Sequence, residues 1–161
     1  MARLPVFFSF HFDNDVMRVQ QVRNIGALED NQPVSPNDWE EVRRKGEAAI
    51  ERWIDDNMKY RRCVVVLIGS ETAQRPWVQY EIRKAWNEGR GVVGVHIHNL
   101  KCPRNGTSRK GPNPFEQIQM KNGGTLAQLV KCYDPSPLYA YNDIATSLER
   151  WVEEAIRLRG N

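Results

Sequence analysis

Residues 64–86 read VVVLIGSETAQRPWVQYEIRKAW. An apolar run ends at Gly69-Ser70, a short polar loop follows, and an amphipathic segment opens at Trp77. From Cys63 to Ile68 the run is apolar and largely β-branched, which suits a central parallel strand covered on both faces. The segment behind it spaces Trp77 with Ala85 and carries Val78 and Ile82 nearby, a helical pattern. Glu81 stands one turn after Trp77. A carboxylate beside an aromatic ring, just above the end of a buried strand, is where an open α/β fold builds a site.

Working outward, alternating elements appear on both sides. Upstream, Val6 to Phe10 reads as a first buried strand, and Asn14 or Asp15 is placed to cap a helix running to about Ala27. Residues Glu29 to Asn37 hold two prolines and several turn formers, hence a loop. Asp38 then caps a second helix in which Trp39, Val42, Gly46, Ile50, Trp53 and Ile54 recur at helical spacing. Downstream, the third helix covers Trp77 to Asn87 and is ended by Gly89 and Gly91, and Val92 to Ile97 is the next strand.

Beyond Leu100 the stretch CPRNGTSRKGPNPF is dense in Gly, Pro and basic residues and reads as loop. Leu129 to Tyr133 is a candidate short edge strand. Asn142 or Asp143 caps a last helix with Ile144, Leu148, Trp151, Val152 and Ala155 in one apolar stripe. The order β-α-α-β-α-β-loop-β-α, folded with right-handed crossovers, gives a three-layer α/β domain with a small, mostly parallel sheet flanked by helices. No linker divides it, so the expectation is one domain over 1–161 with a loop-rich insertion at about 100–128.

Composition sets outer bounds. The chain has 161 residues, 40% hydrophobic and 27% charged, enough for one globular core. A net charge of +3 provides no strong field for nucleic acid or an anionic membrane, so neither is an expected partner. Cys63, Cys102 and Cys132 are an odd set without framework spacing, which favours reduced thiols. The segment MARLPVFFSFHFDND is broken by His11 and Asp13 before a signal-peptide core could form, and no apolar run reaches membrane-spanning length. The expectation is a cytoplasmic protein.

FFSFHFDND followed by VVVLIGSETAQRPWVQYEI resembles the two signature boxes of TIR domains, whose fold is flavodoxin-like. In detail the chain looks like the TIR-like Thoeris B (ThsB) proteins of bacterial anti-phage defence. The agreement extends to DWEEV at Asp38 to Val42, GVHIHNLK at Gly94 to Lys101, and GPNPF at Gly111 to Phe115. The resemblance implies an enzyme that cleaves NAD+ at the nicotinamide-ribose bond and forms a cyclic ADP-ribose isomer or related nucleotide signal. By the same resemblance Glu81 is the catalytic glutamate, and Trp77 is the aromatic residue of its box. Phe10 and His11, which follow the first-strand Ser9, line the nicotinamide side, and Ser70 is the strand-end serine. NAD+ is then a substrate, with no metal or cofactor. A phage-derived trigger, self-assembly on activation and a Thoeris A effector reached by the diffusible nucleotide are implied as partners. Two departures stand out: the usual second strand and BB loop are not legible between Ile25 and Asp38, and Arg75-Pro76 stands where many TIR domains have a serine.

The implied chemistry asks for modest equipment. Breaking the ribosyl-nicotinamide bond expels a neutral leaving group and leaves an oxocarbenium-like centre, which a carboxylate can stabilise. Cyclisation needs an internal nucleophile held close while water is kept away, and Phe10 and Trp77 are suitable walls. Plainer readings compete. Glu81 could be an exposed helix residue paired with Lys84 or Arg83, Trp77 and Phe10 could be core, and Asp13, Asn14, Asp15 and Asp38 could be caps. His96 and His98 share a strand face and could ligate a metal with Cys102, but no fourth ligand is spaced for it. GTSRKG lacks phosphate-loop spacing and reads as a mobile loop, and Asp13 and Asp15 lack the acceptor aspartate of a receiver domain. The rival functional class is a non-catalytic TIR-like interaction or assembly module, with a non-turnover nucleotide sensor behind it.

Overall fold

The computed structural model describes residues 3–29, 41–104 and 106–160. Four strands form one sheet in the order β1 (Val6–Ser9), β2 (Cys63–Ile68), β3 (Gly91–His96) and β4 (Cys132–Tyr133), and every pairing is parallel. Val6 pairs with Cys63 and Cys63 with Gly91, so the three long strands start level. Full burial of every residue in β2 and β3 explains why those runs carry no alternation in the sequence.

Helices cover both faces. On one side α1 (Phe12–Asn24) and α4 (Ala140–Leu158) pack through Val19, Val22, Ile144, Leu148 and Val152 onto Val6, Phe8, Val65 and Val95. On the other, α2 (Glu47–Met58) and α3 (Pro76–Asn87) set Ile50, Ile54, Val78, Ile82 and Ala85 against Phe7, Val64, Val66 and Val92. The three-layer α/β fold is the expected one, and so is its element order. The loop-rich stretch after β3 is anchored: Phe115 is fully buried in the second of these cores beside Ile118 and Leu126. Burying a side chain of that size is worth about 2–3 kcal/mol.

Three local expectations are corrected. The helix read from Asp38 through Ile54 is broken: residues 41–44 are helical, and Gly46 at φ 92° stops them before α2 begins. A left-handed φ suits glycine and ends regular helix. Asp38, Trp39 and the loop over 30–37 lie outside the described residues. Neither Asn14 nor Asp15 caps α1; His11 is its N-cap, and the Asp15 carboxylate is buried inside the helix, 3.7 Å from Arg18. Nor does Asn142 or Asp143 cap α4, which starts at Ala140, while Asp143 Oδ2 accepts a 2.7 Å hydrogen bond from Ser136 N. In both helices the aspartate that local pattern assigned to a cap bonds elsewhere, Asp15 with Arg18 and the distant Thr72, Asp143 with the Ser136 backbone.

The second strand missing from the sequence pattern leaves a trace. Glu29 makes a one-residue parallel bridge with Pro5, with Val6 N donating to Glu29 O at 2.7 Å and Glu29 N to Leu4 O at 2.9 Å. The chain therefore passes β1 on the edge opposite β2, where a doubly wound sheet would place that strand.

Candidate active site

Strand parity places the first functional pair. Residues alternate across a sheet, so Ser9 lies on the same face as Phe7, the face covered by α2 and α3. In α3 the buried positions are Val78, Glu81, Ile82 and Ala85, a stripe in which Glu81 occupies the place of an apolar residue. The two elements thus turn a hydroxyl and a carboxylate toward each other across the layer boundary. Ser9 Oγ donates to Glu81 Oε1 at 2.6 Å, and both side chains are buried.

Burial pushes the Glu81 carboxyl up to about 8, against which the Ser9 hydrogen bond pulls down. Among the described residues no cation pairs with it. The exposed, lysine-paired glutamate is therefore excluded, and Lys84 instead bridges Asp55 at 3.1 Å and Glu88 at 2.6 Å.

Above this pair opens a cavity of about 190 Å³ with Glu81 in its lining. Phe10, His11 and Trp77, three of the residues singled out in the sequence, line the same space. Phe10 also packs on the α1/α4 core, and Trp77 on the α2/α3 core, so each joins a structural role to a wall position. The Trp77 ring meets Tyr80 edge-on with centroids 5.5 Å apart, and Phe10 lies tilted against Phe12 at 6.2 Å. The His11 imidazole titrates below its ordinary value, first through burial and then through the positive charge of Arg75. Its Nδ1 is buried without a hydrogen-bond partner among the described residues.

Ser70 lies apart from these residues. Its Oγ accepts from Asn14 Nδ2 at 3.3 Å, and it is not among the cavity's lining residues. Ser9 is held beneath the cavity, reaching it through Glu81. Sequence reasoning missed Phe12, Arg23, Arg43, Trp53 and Arg75 as cavity residues. Arg75 carried a signal, its unusual place directly before the helix, whereas Trp53 looked like any other residue of an amphipathic stripe.

Asp13 and Asp15 part company. Asp13 joins the cavity rim, where its carboxylate meets Arg43 at 3.4 Å. Asp15 belongs to a structural network in which Thr72 Oγ1 donates to Asp15 Oδ2 at 3.4 Å and accepts from Gly69 N at 2.8 Å. Burial raises the Asp15 carboxyl to about 6 despite Arg18. A Cβ at residue 69 would stand 2.1 Å from Asp15 Oδ2, so the strand-end glycine is required by a carboxylate packed on its backbone.

The histidine pair is a separate cluster at the end of β3. The His96 and His98 rings meet edge-on at 5.7 Å, and the thiol 3.5 Å from His96 Nε2 is Cys132, while Cys102 contacts Met17 Sδ at 3.8 Å. Among the described residues no three His, Cys, Asp or Glu side chains are arranged to hold a metal ion. Nor is GTSRKG a free loop, since Ser108 N donates to His98 O at 2.8 Å and Lys110 pairs with Asp134 at 2.9 Å. Among the described residues no helix is long and apolar enough to cross a membrane.

Comparison with known proteins bears on the same stretch. The family model of the Thoeris protein ThsB, TIR-like domain, matches residues 7–102, which run from β1 through the whole of α3 and β3. A Bacillus cereus (strain MSX-D12) protein named "Putative cyclic ADP-D-ribose synthase ThsB1" is 36% identical over 118 residues. That match covers 70% of this chain and 62% of the relative, so the chain spans less than two thirds of the relative's length.

Proposed function

The chain belongs to the TIR-like domain family of Thoeris ThsB proteins, and from that premise we propose that it cleaves NAD+ at the nicotinamide-ribose bond and releases a cyclic ADP-ribose isomer or a related nucleotide. The observation that carries this reading is Glu81, buried at an aromatic cavity and held by Ser9 at 2.6 Å. The printed name of the Bacillus cereus relative, a cyclic ADP-ribose synthase, supports the product class.

The geometry lends itself to the reaction in stages. Glu81 titrates near 8 because burial strips its carboxyl of water and the Ser9 hydrogen bond offsets only part of that loss. The nicotinamide ring of NAD+ is cationic, and a cation beside the carboxyl favours its ionised form. Substrate binding would therefore generate the carboxylate where it is wanted. As the C1′–N bond breaks, its electron pair leaves with nicotinamide, and positive charge moves onto the ribose ring. A carboxylate fixed beside that ring stabilises the developing charge without reorganising. Ser9 keeps Glu81 in one rotamer, while Phe10 and Trp77 exclude water. An adenine nitrogen or a ribose hydroxyl of the same molecule can then bond to C1′, the hydroxyl giving up its proton.

In this reading the nucleotide diffuses to a Thoeris A effector, a phage-derived signal switches the enzyme on, and activation includes self-assembly. Infected cells carrying the wild type or Glu81→Gln test the core of the proposal. Mass analysis of the small-molecule filtrate should show a species with the mass of cyclic ADP-ribose in the wild type alone. Equal nucleotide production by Glu81→Gln would sink it.

A further inference from the structure

Three arginines line the same cavity, Arg23 from the last turn of α1, Arg43 and Arg75, and the last two are the ones whose charge acts on His11. Arg43 lies on the helical turn at 41–44, and Arg75 immediately precedes α3; both line the space that holds Glu81. Each side chain is 45% exposed, so the guanidinium heads sit at the mouth while Glu81 is deep. The charges of Arg75 and, more weakly, Arg43 push the His11 titration downward, and those of Asp13 and Glu71 push it up. Exposed carboxylates face both: Asp13 stands 3.4 Å from Arg43 and Glu71 3.7 Å from Arg75. Exposed pairs of this kind contribute little and yield readily to a better anion.

The cavity's size adds a second consideration. At about 190 Å³ it accommodates one end of a dinucleotide, and the remainder has to leave through the mouth. With the nicotinamide riboside at Glu81, the next group outward along the covalent chain is the diphosphate. Planar guanidinium forks suit phosphate oxygens, binding two at a time. The first turn of α3 lines the cavity too, and the side chain of its N-cap residue Arg75 makes no capping hydrogen bond.

We propose that Arg43 and Arg75 form a clamp for the diphosphate of the bound dinucleotide, setting how deeply the nicotinamide riboside enters toward Glu81. This assignment rests on the reading of the cavity as the NAD+ site. It makes both arginines binding and positioning residues.

Calorimetric titration of the full chain with two probes separates the parts. ADP-ribose carries the diphosphate without nicotinamide, and nicotinamide riboside carries nicotinamide without the diphosphate. Arg75→Gln and Arg43→Gln should each weaken ADP-ribose binding by about tenfold or more, as loss of a charge-assisted contact requires. Arg75→Lys should recover part of that loss, and nicotinamide riboside affinity should stay within about twofold throughout. Unchanged ADP-ribose affinity in both Gln variants, no ADP-ribose binding by the wild type, or an equal loss for nicotinamide riboside would each overturn the clamp. Because Arg75→Lys keeps the charge and the half-exposed stem, it reads the site even where a Gln variant folds poorly. The two proposals also fail differently. Arginine-dependent ADP-ribose binding with no nicotinamide released, even in infected cells, removes the cleavage reading and leaves the clamp. NAD+ turnover indifferent to both arginines does the reverse.

Discussion

Two sides of one sheet bury ionisable side chains, Glu81 from α3 beside β1 and His96 at the last position of β3, and they differ in access. At the β1/β2 side, Glu81 is 7% exposed and pushed up to about 8, hydrogen-bonded by Ser9 and lining a cavity. At the β3/β4 side, His96 is 5% exposed and pushed down to about 4, chiefly by burial, and sits against Cys132. The loop after β3 closes over this second cluster through the Ser108–His98 backbone bond and the Lys110–Asp134 pair. Burial and a displaced titration are therefore common to both ends. What sets the first apart is an opening toward solvent walled by Phe10 and Trp77, which lets a ligand reach the displaced group.

The sharpest way to break this contrast is a pair of isosteric changes. On the proposed role of Glu81, Glu81→Gln should reduce nicotinamide release about a thousandfold or more while the fold stays. His96→Gln should leave kcat/KM within about twofold. Comparable losses in both variants, measured by nicotinamide release, would erase the distinction.

Next in size is the glycine that carries the chain from β2 toward the cavity side. Gly69→Ala sets a methyl group against the buried Asp15 carboxylate, and a loss of about 3 kcal/mol in denaturant unfolding is expected. A loss under about 1 kcal/mol would show that Asp15 can swing aside.

A smaller, graded effect follows from titration. Glu81 holds its proton to about 8 in the folded state against an ordinary 4.5, so the native state keeps a proton that the unfolded chain releases. Its contribution is full below 4.5 and disappears as pH rises through 8. Relative to Glu81→Gln, the wild type should lose stability between pH 5 and 7.5 with a slope of about 1.4 kcal/mol per pH unit at most. Parallel pH profiles of the two proteins would show that Glu81 is already ionised before substrate binds.

The least effect belongs to the closed end. The Cys132 thiol is raised to about 11, first by burial, so little thiolate exists near neutrality. Alkylation of Cys132 at pH 7.5, followed by peptide mass, should run at least about tenfold slower in the native chain than in denaturant. Equal rates would mean that the β3/β4 cluster opens.

Much of the fold was legible in the chain itself. Cys63 to Ile68 and Val92 to Ile97 are apolar because both faces of a central strand are covered, and the observed strands differ from those expectations by a residue at most. Helix starts were less legible. Asp15 and Asp143 carry the chemistry of a cap, and their carboxylates found partners that sequence neighbours do not reveal: Thr72, far along the chain, and the Ser136 backbone amide. The break at Gly46 was hidden because the apolar spacing continues across it.

Two stripes mark the boundary between what pattern says and what packing decides. In α3 the inward positions are Val78, Glu81, Ile82 and Ala85; in α1 they are Asp15, Arg18, Val19 and Val22. Each helix places a carboxylate on its buried face, and the sequence by itself determines that much, because helical period fixes which residues share a side. Only the tertiary structure decided their fates. Asp15 met Arg18, Thr72 and the Gly69 backbone and was sealed into a network. Glu81 met Ser9, 72 positions away in sequence, at the wall of an open cavity. Which buried carboxylate faces a ligand depends on what the rest of the chain packs over it, and helical period carries no information about that.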